Sequence, residues 1–156
     1  MSGAVPCSFA GSDLEPAGES GWGNDGTLLQ DRKGKLLIIV MDFNDLFCSL
    51  CSESLLSLCF ALPPHVQRER TWLVVVVDSE GMADHEKKII AKKIDGFIKG
   101  NSLHIPVSLD FTCLFEPMLR SGSQIILMDS ENQTLLFSPL PVKGDFLTQI
   151  LRSLLT

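Results

Sequence analysis

The chain has 156 residues, 45% of them apolar and 21% charged, with a formal net charge of −6. That length suffices for one ordinary domain whose core needs no disulfide staples. The acidic balance, with no dense cluster of Lys and Arg, argues against nucleic acid as a partner, because phosphate binding needs gathered cations.

Residues 1–26 are rich in Gly, Ser, Pro and acids and lack apolar periodicity, which predicts a flexible N-terminal arm. Trp22 is its one large apolar group and the candidate to pin it to the body. Residues 27–156 make up the folded domain. Thr27 to Gln30 predicts a short extra strand, and Asp31 to Lys35 a turn. Leu36 to Phe43 is apolar at alternating and intervening positions alike, as a strand covered on both sides must be. Trp72 to Asp78 is of the same kind, and its four consecutive valines favour strand over helix. Between them Cys51, Leu55, Leu58, Cys59 and Leu62 fall on one helical face. Pro63-Pro64 ends that helix. Strand, helix, strand with both strands buried predicts a parallel crossover.

A second helix is predicted over Ala83 to Lys99, with Ile90, Ile94, Phe97 and Ile98 on one face and lysines on the other. Ile105 to Leu109 predicts a short strand, with Pro106 near its start, where a missing N–H is tolerated. Thr112 to Leu119 predicts a short helix. Gln124 to Asp129 and Gln133 to Phe137 read as a hairpin, with Asn132 at its turn. Phe146, Leu147, Ile150, Leu151 and Leu154 predict a final amphipathic helix.

There are five cysteines: Cys7, Cys48, Cys51, Cys59 and Cys113. An odd count in a chain this long and apolar does not read as a disulfide scaffold. Cys48-Ser49-Leu50-Cys51 follows a strand and opens a helix, the layout of a dithiol/disulfide redox centre. A zinc site wants four ligands at paired short spacings, and there is one C-x-x-C, with His65, His85 and His104 far apart. A c-type haem site wants His after Cys51, where Ser52 stands. Cys59 lies on the apolar helix face and reads as an inert core thiol, as does Cys113; Cys7 lies in the arm.

No apolar run approaches the roughly 18–20 residues that cross a bilayer, so no transmembrane segment is expected. Residues 1 to 20 show neither the basic start nor the apolar stretch of a secretory signal. Two locations stay open: cytoplasmic if the chain is complete, extracytoplasmic if it is a trimmed mature form.

The segment Asp42-Phe43-Asn44-Asp45-Leu46-Phe47-Cys48-Ser49-Leu50-Cys51 resembles the active-site segment of thioredoxin-fold proteins, with an acid six positions before the first cysteine and an aromatic just before it. From Thr27 to Leu155 the order β-α-β-α-(β-α)-β-β-α resembles that fold with one extra strand–helix unit. It is most similar to the TlpA/ResA-type thiol–disulfide reductases, relatives of the peroxiredoxins. The resemblance implies an α/β thioredoxin-like fold: a mixed central sheet, helices on both faces and a central β-α insertion. It implies that Asp42 moves the proton of Cys51. It also implies a cis-proline beside the dithiol, where substrate backbone pairs. Here that place is Ser123, and a non-proline cis bond there would cost about 3–4 kcal/mol. Phe47 stands in the usual place of Trp and could cover the disulfide. The Thr or Ser of a peroxidase, three positions before the reactive cysteine, is absent.

Cys48 at the helix N-terminus would meet unpaired N–H groups and the positive dipole end, which favour a thiolate. It would attack, and Cys51, one turn on and shielded, would resolve the mixed disulfide. Asp42 sits among apolar strand residues, where a carboxylate costs free energy by desolvation. Asp45 is expected in the loop, solvated. With Glu53 it opposes a thiolate, and no cation in the motif offsets them, which points to a reducing rather than strongly oxidising couple.

Two functions follow. One is a thiol–disulfide oxidoreductase acting on protein or small-molecule disulfides, with no cofactor beyond an electron-donating redox partner. The other is a non-catalytic thioredoxin-fold binding module whose cysteines are vestigial or bind metal.

Overall fold

A computed structural model describes residues 15–16, 34–111, 115, 119, 122–131 and 133–155. The expected strand at Thr27 to Gln30, together with Trp22, Cys7, Cys113 and Asn132, lies outside them. So do most of the expected helix over Thr112 to Leu119 and all but two residues of the expected arm.

The order along the chain is β1 (Glu15–Pro16), β2 (Leu36–Asp42), α1 (Phe43–Leu46), α2 (Ser49–Phe60), α3 (Pro64–Arg70) and β3 (Thr71–Val76). Then come α4 (Asp84–Gly100), β4 (Val107–Asp110), β5 (Gln124–Met128), β6 (Thr134–Pro139) and α5 (Gly144–Leu155). The strands form one mixed sheet in the order β1-β4-β3-β2-β5-β6. β2, β3 and β4 run parallel, with Asp42 opposite Val76 and Val76 opposite Asp110. β5 is antiparallel to β2, β6 to β5, and the short β1 to β4. The architecture is the expected mixed α/β thioredoxin-like fold.

The alternation of side chains across the sheet separates two apolar layers. Leu37, Ile39, Met41, Leu73, Val75, Ile125 and Leu127 pack with Leu55 and Leu58 of α2, Ile94 and Ile98 of α4, and Ile150 and Leu154 of α5. Leu36, Ile38, Val40, Trp72, Val74, Ile126 and Met128 form the second layer with Phe115, and Leu119 packs against it. Trp72 and Phe115 meet edge to face, with ring centroids 6.0 Å apart. Because both layers are covered, β2 and β3 carry no polar alternation, which is why their sequences read as unbroken apolar runs. Burial of each such Leu or Ile contributes on the order of 1.5–3 kcal/mol. Among the described residues no helix is long and apolar enough to cross a membrane.

One element departs from expectation. The chain does not simply stop being helical at Pro63-Pro64. α2 ends at Phe60, and Pro64 opens α3 at its first turn, where the missing N–H costs nothing. Gln67 of α3 is 5% exposed. Its Nε2 donates to the carbonyls of Cys59 at 2.8 Å and Leu62 at 3.1 Å, and its Oε1 accepts the His104 N–H at 2.9 Å. One amide therefore satisfies the end of α2 and ties it to the loop before β4. Arg70 Nη1 and Lys35 Nζ donate to the Leu154 and Ser153 carbonyls, placing two cations at the C-terminal end of α5.

Gln67→Leu keeps the volume and removes all three bonds. We expect a loss of about 2–3 kcal/mol in urea unfolding, with the slope unchanged. A loss within experimental error would mean that Gln67 does not hold these segments together.

Candidate functional site

The site forms at the carboxyl ends of the parallel strands, where open α/β sheets place their reactive groups. β2 ends because Asp42 turns its side chain back on the chain. At φ −67° and ψ 142°, its Oδ1 accepts the N–H of Asn44 at 2.9 Å and caps α1. α1 is a single turn. The Phe47 N–H donates to the Asn44 carbonyl and the Cys48 N–H to the Asp45 carbonyl. Cys48 then returns to extended geometry and becomes the N-terminal cap of α2, with its carbonyl accepting the Ser52 N–H at 2.9 Å. Its side chain caps nothing.

The three described cysteines are free thiols in graded burial: Cys48 exposed, Cys51 half-buried, Cys59 buried. Burial pushes the Cys51 thiol above its ordinary range, and the Asp45 carboxylate, the charge on Cys48 and a hydrogen bond with the Cys48 thiol push the same way. Cys48 caps α2 and Cys51 lies in its first turn, so both thiols belong to the same helix end. Burial alone pushes Cys59 up to about 12, which disfavours its thiolate.

Phe47, 52% exposed, is not core. Its ring meets Phe43 edge to face at 5.3 Å and Phe97 of α4 at 6.2 Å. Leu50, between the cysteines, is 65% exposed. Cys48 is thus flanked by two apolar side chains open to solvent.

Ser123 enters from the other side of β2. Gly122 holds φ 89°, a conformation L side chains rarely adopt, and turns the chain into β5. Ser123 is buried. Its Oγ donates to Asp45 Oδ2 at 2.6 Å and accepts the Asp42 N–H at 3.1 Å. Its carbonyl accepts the Leu140 N–H at 2.8 Å. Among the described residues the cis peptide bond is Leu140–Pro141, not a bond at Ser123.

The structure brings Asp42, Phe47, Cys48, Cys51 and Ser123 into one neighbourhood. It corrects the expectation for Asp45. That residue is not a solvated loop carboxylate but a half-buried group on α1, bonded to Ser123. Local sequence carried part of the signal, since Asp42 two residues before Asn44 is a capping pattern. The partner 78 residues away left none. No group of three or more His, Cys, Asp or Glu among the described residues is placed to hold a metal ion.

No protein-family model and no curated protein matches the chain. Solved structures do. A thioredoxin-like protein from Porphyromonas gingivalis is 16% identical, with the match covering 99% of this chain and 94% of that one at a TM-score of 0.62. A thiol-disulfide isomerase from Corynebacterium glutamicum is 15% identical over 91% of each chain, at 0.60. A secreted Mycobacterium tuberculosis disulfide oxidoreductase homologous to E. coli DsbE is 12% identical over 84% of this chain and 87% of that one, at 0.53. At these identities the likeness is one of fold, and the fold is thioredoxin-like.

Asp45→Asn removes one of the groups that raise Cys51. The pH at which Cys51 becomes open to alkylation, followed by peptide mass spectrometry, should therefore move down. An unchanged or higher midpoint would show that the carboxylate does not act on this sulfur.

Proposed function

We propose that the protein is a thiol–disulfide oxidoreductase, a reductase of protein or small-molecule disulfides that is itself recharged by an electron-donating redox partner. The observation that carries this reading is the pair itself: an exposed Cys48 at the N-terminus of α2, with a half-buried Cys51 one turn on. The exposed thiol can reach a substrate disulfide, and the shielded one can reach only the first sulfur. Likeness of fold to a thiol-disulfide isomerase and a disulfide oxidoreductase supports the same class. The strand β4, between α4 and β5, fits the strand of the extra strand–helix unit of the TlpA/ResA type.

Cys48 as thiolate attacks one sulfur of the substrate disulfide, forms a mixed disulfide and expels the first thiolate. Cys51 then attacks Cys48 Sγ and expels the second. Two electrons pass from the dithiol to the substrate. The Cys51 proton goes to a carboxylate at the end of β2 or on α1. Asp42, implied by resemblance, and Asp45 are the two candidates. Phe47 and Leu50 offer an apolar rim for the substrate, with Ser123 behind the pair. The motif carries acids and no Lys or Arg, which fits a reducing rather than a strongly oxidising couple.

The second reading, a binding module, draws on one observation: Ser123 spends its hydroxyl and its carbonyl on the protein itself. Redox titration with thiol alkylation separates the two. A reversible two-electron change mapping to Cys48 and Cys51 supports the enzyme, and metal copurifying with the reduced protein supports the module. In the enzyme, Cys48→Ser abolishes disulfide reduction and Cys51→Ser traps a mixed disulfide on Cys48. Normal turnover by Cys48→Ser would assign the chemistry elsewhere.

A further inference from the structure

We propose that the row Ile89, Lys93 and Phe97 on α4 is a docking surface for an acidic polypeptide, which lies along it while presenting a disulfide to Cys48; the assignment rests on the oxidoreductase reading above. The ring of Phe47, the residue before Cys48, meets that of Phe97 with centroids 6.2 Å apart, so α4 adjoins the rim of the dithiol. Residues at four-residue steps share one side of a helix, and Lys93 and Ile89 continue the row that Phe97 begins. At about 1.5 Å of rise per residue they stand roughly 6 and 12 Å from Phe97 along the axis. Phe47 and Ile89 are both large apolar side chains left exposed.

The charge on α4 runs against that of the chain. The helix carries five lysines in a chain whose formal net charge is −6. Four of them, Lys87, Lys88, Lys92 and Lys93, fall in a stretch without an acid. Lys88, Lys92 and Lys93 are exposed and make no ion pair among the described residues, whereas Lys99 binds Asp95 at 2.8 Å. Lys87 is half-buried, with its ammonium 5.4 Å from the centre of the Phe111 ring. Cations around an exposed isoleucine make an interface pattern: an apolar anchor, with charges at its margin that steer the partner and fix its register.

Two further observations choose the occupant and its direction. Asp84, Glu86 and Asp95 break up the lysines, so the helix lacks the gathered cations that a phosphate backbone requires; carboxylates spaced along a polypeptide match it better. Asp42 and Asp45 carry the opposite sign at the end of β2 and on α1, so an acidic segment is favoured over α4 and disfavoured over α1. The main chain at the approach to β5 has little left to hold a substrate. The Gly122 N–H donates to the Leu119 carbonyl at 2.9 Å, and the Ser123 carbonyl already accepts the Leu140 N–H. Side chains must therefore supply the grip, and those of α4 adjoin the rim.

The test uses synthetic peptides, each closed by one disulfide, that differ only in carrying Glu, Gln or Lys next to the cysteines. Reduced full-length protein meets each in single turnover, and the freed peptide thiols are counted by alkylation and mass spectrometry. Each rate is divided by that of dithiothreitol with the same peptide, which removes the peptide's own reactivity. We expect the Glu peptide to be reduced at least about tenfold faster than the Lys peptide at low salt, with the gap closing as salt screens the charges. Lys93→Gln should narrow the gap, and Lys88→Gln, Lys92→Gln and Lys93→Gln together should abolish it. Ile89→Ser should slow all the peptides. Arg68→Gln removes an exposed charge from α3 and should leave the gap unchanged. The neutral disulfide 4,4′-dithiodipyridine, too small to span the row, should react with every variant at the wild-type rate.

A preference for the Glu peptide that survives the triple substitution overturns the assignment. A gap lost as fully in Arg68→Gln would trace it to net charge rather than to α4, and overturns it too. Variants slowed equally on dithiodipyridine would put the effect at the dithiol, with the same result. A dimer in sedimentation, broken by Ile89→Ser, would give the surface to a second copy of the chain instead. Wild-type protein that releases no thiopyridone overturns the oxidoreductase reading, and the docking assignment with it. Wild-type protein that releases thiopyridone but reduces the Glu and Lys peptides at equal normalised rates overturns the docking assignment alone.

Discussion

The hydroxyl of Ser123 joins two parts of the chain that sequence keeps 78 and 81 residues apart. A hydroxyl has one proton to give and lone pairs to receive. Here the proton goes to Asp45, and a lone pair takes the N–H of Asp42, the residue at which β2 ends. The strand end, the single turn of α1 and the approach to β5 are thereby locked as one unit. α2 begins immediately beyond, and with it the position of both sulfurs. Loss of a bond to a charged, half-buried group costs more than loss of a neutral one, on the order of 1.5–3 kcal/mol. The geometry of the dithiol therefore depends on a contact that belongs to neither cysteine.

Burial differentiates three chemically identical side chains along one helix. Cys48 caps α2 from outside, Cys51 enters its inner face, and Cys59 lies two turns deeper among Leu55, Leu58 and the sheet. Desolvation raises both of the inner thiols, Cys51 and Cys59, and burial alone raises Cys59. Asp45 adds to the shift at Cys51, because its charge acts on that thiol.

Much of this was legible in the sequence, for identifiable reasons. β2 and β3 announce themselves because both their faces are covered, and Leu55, Leu58 and Cys59 mark the inward face of α2 at the right period. Ile94 and Ile98 do the same for α4. The C-x-x-C at a strand–helix junction locates the site. What stayed hidden depends on contacts distant in sequence. α3 is seven residues long and dominated by polar side chains, and it is fixed by Gln67, whose partners are backbone atoms of two other segments. Asp45 looked solvated because every residue that makes it otherwise lies on another strand. Asp42 showed the converse: the pattern revealed the acid, but not that its carboxylate would turn away from the sheet to cap the next turn.

The residue at 123 and the acid at 45 belong together. A proline at 123, as the resemblance to thioredoxins implies, would fix the backbone through its ring but has no hydroxyl. Asp45 would then face the interior with no donor, and a half-buried carboxylate without one is costly enough to swing out into water. Serine has no ring to set the backbone. Gly122 supplies the turn instead, and the bonds to Asp42, Asp45 and Leu140 hold what the ring would have held. The loop is thus fixed by hydrogen bonds rather than by covalent geometry, and one of those bonds ends on the carboxylate whose charge raises the Cys51 thiol. The rigidity of the loop and the protonation of the dithiol are accordingly coupled: whatever neutralises or displaces Asp45 also loosens the segment that holds it.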